Sequence, residues 1–435
     1  MKKTQEPKSN IQGKEMYEMC INLFPYNRFL TGEGVRKTLH YIRDIVPVNI
    51  HEVPSNTIVF DWNVPNEWII REAWIKTPSG GKICDFSVNN LHLVGYSVPV
   101  SLKLTREELD LKIYSLPELP NAIPYISSYY SEDWGFCISH NERIALEDGV
   151  YEVFIDSELI EGSLTYADLV IPGRSKKEVL FSTYICHPSM ANNELSGPVL
   201  AVELAKTLLE TDNEYTYRFV FVPETIGSIV YLSKHLEQLK ENVIAGYVLT
   251  CVGDNNAVSY LESRYGNTLA DKVVKFVLNE MNLEYKHYSF LERGSDERQY
   301  CAPGIDLPVC SVMRSKYGTY PEYHTSLDNL DYISEEGLQL SYEIYMNIIN
   351  TIEKNKVYRV TVKGEPQLGK RGLYPNVSTK TSGSSVRNMM NFLAYADGNN
   401  DLIDICLRIG TSFNEMTMLT DIFLSNHLIE ELKSH

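Results

Sequence analysis

EVLFSTYICHPSMANNELSG, residues 178–197, decides how this chain folds. Residues 178–186 are apolar or small almost without a break, the texture of a strand buried on both faces. His187 and Pro188 end that run, and the chain continues into a helical segment in which Leu195, Val199, Val202 and Leu209 keep close to one face. A strand, an imidazole and a helix in that order make the repeating unit of an open α/β sheet, where ligands collect beyond the carboxyl ends of the strands.

The same texture returns in YRFVFV (217–222), AGYVLTCV (245–252) and LPVCSVM (307–313), and Leu269, Val273, Phe276 and Val277 mark a helical face between the last two. Alternating apolar strands and helices predict an α/β sheet with helices on both faces. Upstream, residues 14–47 predict two helices around the turn TGEG, with Val35, Leu39 and Ile42 on one face. Between 57 and 150 the runs shorten and alternate, as in TIVFDW and IIREAWIKT, which predicts a small inserted β-rich module. Its aromatic stretch NAIPYISSYYSEDWGFC predicts core packing, with a substrate-facing wall as the alternative. After a helix at 334–353, KGEPQLGKRGLYP predicts a loop or linker. The tail from about 385 holds three helical patterns, the last opened by a Ser412–Glu415 capping box. The expected domains are 1–56 with 151–356, the insert at 57–150, and a linker with a compact helical unit at 357–435.

The 435 residues are 43% hydrophobic and 22% charged, and the net charge of -17 excludes a broad nucleic-acid or anionic-membrane footprint. Residues 386–435 carry Arg387, Arg408 and Lys433 against seven acidic residues, so the tail is expected to pack or oligomerise rather than bind DNA. Eight scattered cysteines with no CxxC pair predict reduced thiols of a cytoplasmic protein. No signal-type apolar region follows the N-terminal lysines, and no window reaches the roughly 18 apolar residues of a membrane span.

The polar residues that follow the strands carry the chemistry. They are His187-Pro188, Pro223-Glu224, Gly253-Asp254 and, after a loop, His324 in EYHTSLDN. Two histidines, a Glu and an Asp at one sheet edge predict a metal or acid–base site. Asn192 or Asn193 is expected to cap the helix whose first turn holds Glu194. No GxSxG elbow supports a serine hydrolase. Cys186 and His187, as strand neighbours, are expected on opposite faces and so not as a nucleophile pair.

CHP followed by NNELSG, then FVFVPETIGS, SDERQY and EYHTSLDN, resembles the zinc aminopeptidase superfamily of exopeptidases. More narrowly, the whole chain resembles bacterial aminopeptidase-like proteins with an inserted β module and a C-terminal winged helix, often labelled as polysaccharide-biosynthesis proteins. The resemblance implies a zinc-exopeptidase-like fold and amide hydrolysis by metal-activated water. It places a metal-binding His at His187, a bridging Asp at Asn193 and the general base at Glu224. It also places a metal-binding Glu at Thr225, a metal-binding Asp at Thr250 and a last His at His324. Asn193, Thr225 and Thr250 stand at three of the four positions where the resemblance has acidic residues, which implies one zinc rather than two, with Asp254 or Glu194 supplying an oxygen. By the same resemblance Asp296 or Glu297 holds a substrate ammonium and Arg298 a carboxylate. The expected function is a zinc-dependent aminopeptidase-like hydrolase of a peptide-like or glycan-linked amide. The alternatives are an impaired binding protein of the same fold for a peptide or glycan, and a winged-helix regulator.

Overall fold

The computed structural model of the protein describes residues 10–129, 131–373 and 380–432, with no side chains for 380–385. Part of the N-terminal stretch, Tyr130, the end of the predicted loop from Tyr374 and Lys433 lie outside the described residues. The chain divides into two compact units, 1–271 with 285–343, and 272–284 with 344–435.

The first unit is built on an eight-stranded sheet. Its middle is parallel: Glu178–Tyr184 lies between Thr216–Val222 and Val243–Val248, and Val243–Val248 also pairs with Val309–Met313. Antiparallel strands flank it, Ser163–Ile171 and Asn49–Pro54 on one side and Ser259–Leu261 on the other. The sheet is therefore mixed at its edges and parallel where the apolar runs are longest. All seven residues of Glu178–Tyr184 are buried, as expected of a strand covered on both faces. Leu180, Val220 and Val222 pack with Ile226, Ile229 and Val230 of helix Ile226–Asn242 on one face. Thr183 points to the other face, where helix Ser196–Leu209 comes so close that a Cβ at Gly197 would run into the Leu249 carbonyl and the Thr183 hydroxyl.

From Glu178–Tyr184 the chain crosses to Thr216–Val222 on one side and then back over to Val243–Val248 on the other. That reversal opens a crevice at the carboxyl end of Glu178–Tyr184, the point where ligands bind in such sheets. His187 follows that strand end by three residues.

The insert is a four-stranded antiparallel sheet with Glu67–Lys76 and Val150–Ile160 at its centre, around Trp68, Ile75, Phe136, Tyr151 and Val153. Val150–Ile160 pairs with insert strands, so the module runs on to 160 instead of ending at the expected 150. Its alternating pattern continues past that boundary, and sequence alone offered no stop.

The second unit holds a three-stranded sheet of Asp397–Asp401, Val357–Val360 and Ile429–Leu432 with helices Lys380–Tyr395, Leu402–Ile409 and Phe413–Ser425. Val357–Val360 is therefore a strand of this unit and not linker. Ser412 accepts the Glu415 N–H, but the Glu415 carboxylate turns to Thr411 and Asn388, leaving the expected box half made. A complete capping box in this unit is at Asp401 and Asp404.

Candidate functional site

Each of the four central parallel strands is followed by a non-glycine residue with positive φ: Ser189 (48°), Thr225 (64°), Cys251 (52°) and His324 (56°). Such conformations are uncommon, and for a β-branched residue such as Thr225 they are strained. They turn the chain sharply at the sheet edge, where Thr225 lines the cavity.

There the His187 and His324 rings meet with centroids 5.4 Å apart, and Tyr125 of the insert packs edge-on against both. Tyr323 stacks on His324 at 3.9 Å, and the Tyr125 N–H donates to the His324 carbonyl at 2.9 Å. Glu224 Oε2 stands 3.6 Å from His187 Nε2. On the opposite ring edge His187 Nδ1 is 2.9 Å from Glu194 Oε2; a carboxylate only accepts, so Nδ1 is the donor. His187 and Glu224 open onto a cavity of about 170 Å³ walled by Phe29, Trp62, Tyr96, Tyr125 and Tyr129. Several aromatics of the insert are thus a wall of this cavity, while Phe136 from the same stretch is core.

Burial pulls the His187 pKa down, but Cys186, Glu194 and Tyr125 more than reverse this and hold it well above the ordinary imidazole value. Burial and the neighbouring His187 pull His324 down to about 3, so it is a neutral imidazole. Burial raises the Glu224 carboxyl, against the pull of His187 and Arg298.

Several expected residues stand elsewhere. Asp254 is buried, and its carboxylate accepts from Ser315 N–H and Oγ, Asn256 N–H and Asn192 Nδ2, so it does not join the histidines as a ligand. Asn193 Oδ1 accepts from the Tyr184 hydroxyl, which also meets Thr250 Oγ1 at 2.5 Å. Tyr184, Asn193 and Thr250 form a neutral network where the resemblance places two acidic ligands. Neither Asn192 nor Asn193 caps the helix. The turn Ala191–Leu195 is a π-helical turn, and Asp328 caps it by accepting the N–H groups of Ala191, Asn192 and Asn193.

RGSDERQY packs its two acidic residues inward. Asp296 and Glu297 are fully buried. Asp296 Oδ1 accepts from Thr225 N–H at 2.7 Å and Ser228 Oγ at 3.0 Å, securing the strained Thr225 backbone. Glu297 Oε1 accepts from Gly294 N–H, Ser295 N–H and the Tyr317 hydroxyl, while its buried Oε2 has no hydrogen-bond partner. Arg298 is exposed and donates to Thr225 Oγ1 at 2.5 Å. Cys186 Sγ lies 3.7 Å from His187 Nδ1, against expectation, because the strand ends at Tyr184 and its alternation ends with it.

Burial and the adjacent Glu224 push the Asp296 carboxyl up to about 7, above the ordinary value near 3.9. A raised acid binds more protons folded than unfolded between those values, so its contribution to stability falls as pH rises through that window. In urea unfolding, the stability of the wild type relative to Asp296→Asn is expected to fall from pH 4 to 7; a difference that does not change with pH contradicts the shift.

The histidine pair supplies two nitrogen donors of the kind a zinc ion takes. A ligating imidazole ordinarily gives its second N–H to a carboxylate, as His187 gives Nδ1–H to Glu194, and Nε2 then faces the cavity side with Glu224. Cys186, His187 Nδ1 and Glu194 form a tighter group, with ligand atoms within 4.8 Å of one another. Their hydrogen bond is already made, and Arg28 Nε lies 3.6 Å from Glu194 Oε1, so a cation there would face a guanidinium. On the cavity side the donors at hand are the two imidazoles and Glu224.

Residues 17–355 match the family model described as a domain of unknown function, DUF4910, and residues 356–431 match a winged helix-turn-helix model. A relative from Clostridium acetobutylicum, provisionally named a polysaccharide biosynthesis protein with an aminopeptidase-like domain, is 44% identical over 427 residues, 97% of each chain. A crystal structure of a provisionally named peptidase from the same organism has a TM-score of 0.92, with 44% identity over 97% of both chains. BSAP, a zinc aminopeptidase from Bacillus subtilis, shares the fold with a TM-score of 0.57 at 13% identity, covering 78% of this chain and 94% of its own. No helix among the described residues is long and apolar enough to cross a membrane. The chain belongs to the DUF4910 family and joins an aminopeptidase-like α/β domain to a C-terminal winged helix.

Proposed function

We propose that the protein is a single-zinc amide hydrolase of aminopeptidase type, with His187 and His324 holding the ion and Glu224 as general base. One observation carries this: two imidazoles from distant parts of the chain meet at the sheet's switch point, beside a carboxylate 3.6 Å from one of them. When bound there, zinc supplies a Lewis acid and a water with pKa lowered to about 7. Glu224 accepts a proton as the amide carbonyl is attacked and returns it to the departing nitrogen. Its burial, which raises its proton affinity, suits both halves of that task. Tyr125 and the aromatic wall orient the substrate and exclude bulk water, and Arg298 at the rim offers a guanidinium to an anionic substrate group.

Cys186 is not the nucleophile, since burial pushes its thiol up to about 11 and leaves little thiolate at neutral pH. The name of the Clostridium relative favours a glycan-linked amide over a simple peptide. Eight buried cysteine side chains favour a reducing, cytoplasmic setting. Duplex DNA is not a proposed partner. In the second unit the Phe413 N–H, at the start of the second helix of the helix-turn-helix, donates to Glu280 and its ring packs on Phe276. That helix end is the part that ordinarily enters a groove.

Protein purified without chelator is expected to hydrolyse an aminoacyl-anilide, to stop on treatment with a strong chelator, and to recover with one equivalent of zinc. The neutral Tyr184–Asn193–Thr250 network favours a second reading, a ligand-binding protein of the same fold. Zinc binding without turnover of any amide probe would decide for it.

A further inference from the structure

We propose that Arg28, which no catalytic step uses, is a positioning residue of this site. It holds Glu194 in the orientation that accepts the His187 Nδ1–H and so turns Nε2 toward Glu224. The proposal rests on the hydrolase reading only for the task given to Nε2.

Arg28 lies in FPYNRF, between helices Ile11–Leu23 and Glu33–Arg43, far in sequence from the site it serves. It is completely buried. Nη1 donates to the carbonyl of Leu23 at 2.6 Å, which anchors the guanidinium to the end of the first helix. Nε points to Glu194 Oε1 at 3.6 Å, and Nε and Nη2 have no hydrogen-bond partner. Closing a helix end does not require a fully desolvated charge, because helix ends are ordinarily completed by water, glycine or neutral groups. Removing a whole guanidinium from water is offset only by an opposite charge at close range, and Glu194 is that charge.

Glu194 divides its carboxylate between two tasks. Oε1 faces Arg28 and has no hydrogen bond, while Oε2 accepts from His187 at 2.9 Å. Its backbone is fixed separately, in the turn Ala191–Leu195 that Asp328 caps. The side-chain torsions are what remain to be set, and Arg28 sets them. The chain from Arg28 through Glu194 to the His187 ring thus places a residue of the N-terminal segment behind the imidazole of the crevice.

The full chain, metal-free and labelled with ¹⁵N-histidine, tests this by NMR. The wild type is expected to show a downfield, exchange-protected Nδ1–H resonance for His187, identified by its loss in His187→Gln. Arg28→Lys keeps it and Arg28→Met loses it. Zinc affinity by chelator competition is expected to fall about 10- to 100-fold in Arg28→Met and in Glu194→Gln, and the double variant to fall no further than the weaker single. A folded Arg28→Met with the wild-type resonance and affinity would reduce Arg28 to a helix cap. Should that variant not fold, Glu194→Gln decides alone, and wild-type behaviour in it overturns the proposal. A protein that binds no zinc, yet whose His187 resonance depends on Arg28, would sink the hydrolase reading and leave this one standing.

Discussion

Glu224→Gln is expected to lower kcat on an aminoacyl-anilide by about 10²- to 10⁴-fold while zinc content and unfolding midpoint stay at the wild-type level. The carboxamide has nearly the same shape, and the Glu224 backbone N–H still donates to Cys186 Sγ, so the turn at the end of Thr216–Val222 is kept. What disappears is a group that can take a proton at the point facing His187 Nε2. Because the loss falls on proton transfer and not on binding, KM is expected to change little and kcat and kcat/KM to fall together. A decrease under tenfold would place the general base elsewhere.

Asp328→Ala is expected to have the largest effect on stability, about 3–5 kcal/mol, read from the urea midpoint. Asp328 Oδ1 accepts from Ala191 N–H at 3.2 Å and Asn192 N–H at 2.6 Å. Oδ2 accepts from Asn193 N–H at 3.0 Å and from the Tyr320 hydroxyl at 2.9 Å. Alanine leaves the Asn192 and Asn193 N–H groups and the Tyr320 hydroxyl in a dry interior, where each unsatisfied donor costs about 1–3 kcal/mol, while the Ala191 N–H keeps the Asp328 backbone carbonyl at 2.9 Å. The same turn carries Asn192, Asn193 and Glu194, so zinc affinity falls with stability. Asp328→Asn retains one acceptor oxygen and is expected to lie between. A loss under about 1 kcal/mol for alanine would mean that water or another group completes this turn.

What could be read from the chain follows the range of the interactions involved. The buried strands announce themselves by composition, because a strand covered on both faces has no reason to alternate. His187 and Glu224 follow from them as the polar residues next in line, and His324 from its own short motif. Arg28 and Asp328 were invisible because their partners are Glu194 and the Ala191–Asn193 backbone, more than a hundred positions away, and no periodicity links such pairs. The Cys186–His187 separation failed because a strand rule was applied beyond Tyr184, where the strand stops. The burial of Asp296 and Glu297 is not legible in the sequence, because a charged string carries no sign of the backbone amides that will bury it. Asp254 followed a strand end as correctly as Glu224 does, but Asn192 and Ser315 hold it.

Anomalous diffraction at the zinc edge, from crystals grown with zinc, tests the central claim most directly. One peak is expected, about 2.0–2.1 Å from a ring nitrogen of His187 and of His324, on the Glu224 side of the ring. No peak there, a peak between Cys186 and Glu194, or a second ion near Asn193 and Thr250 would contradict the single-zinc account.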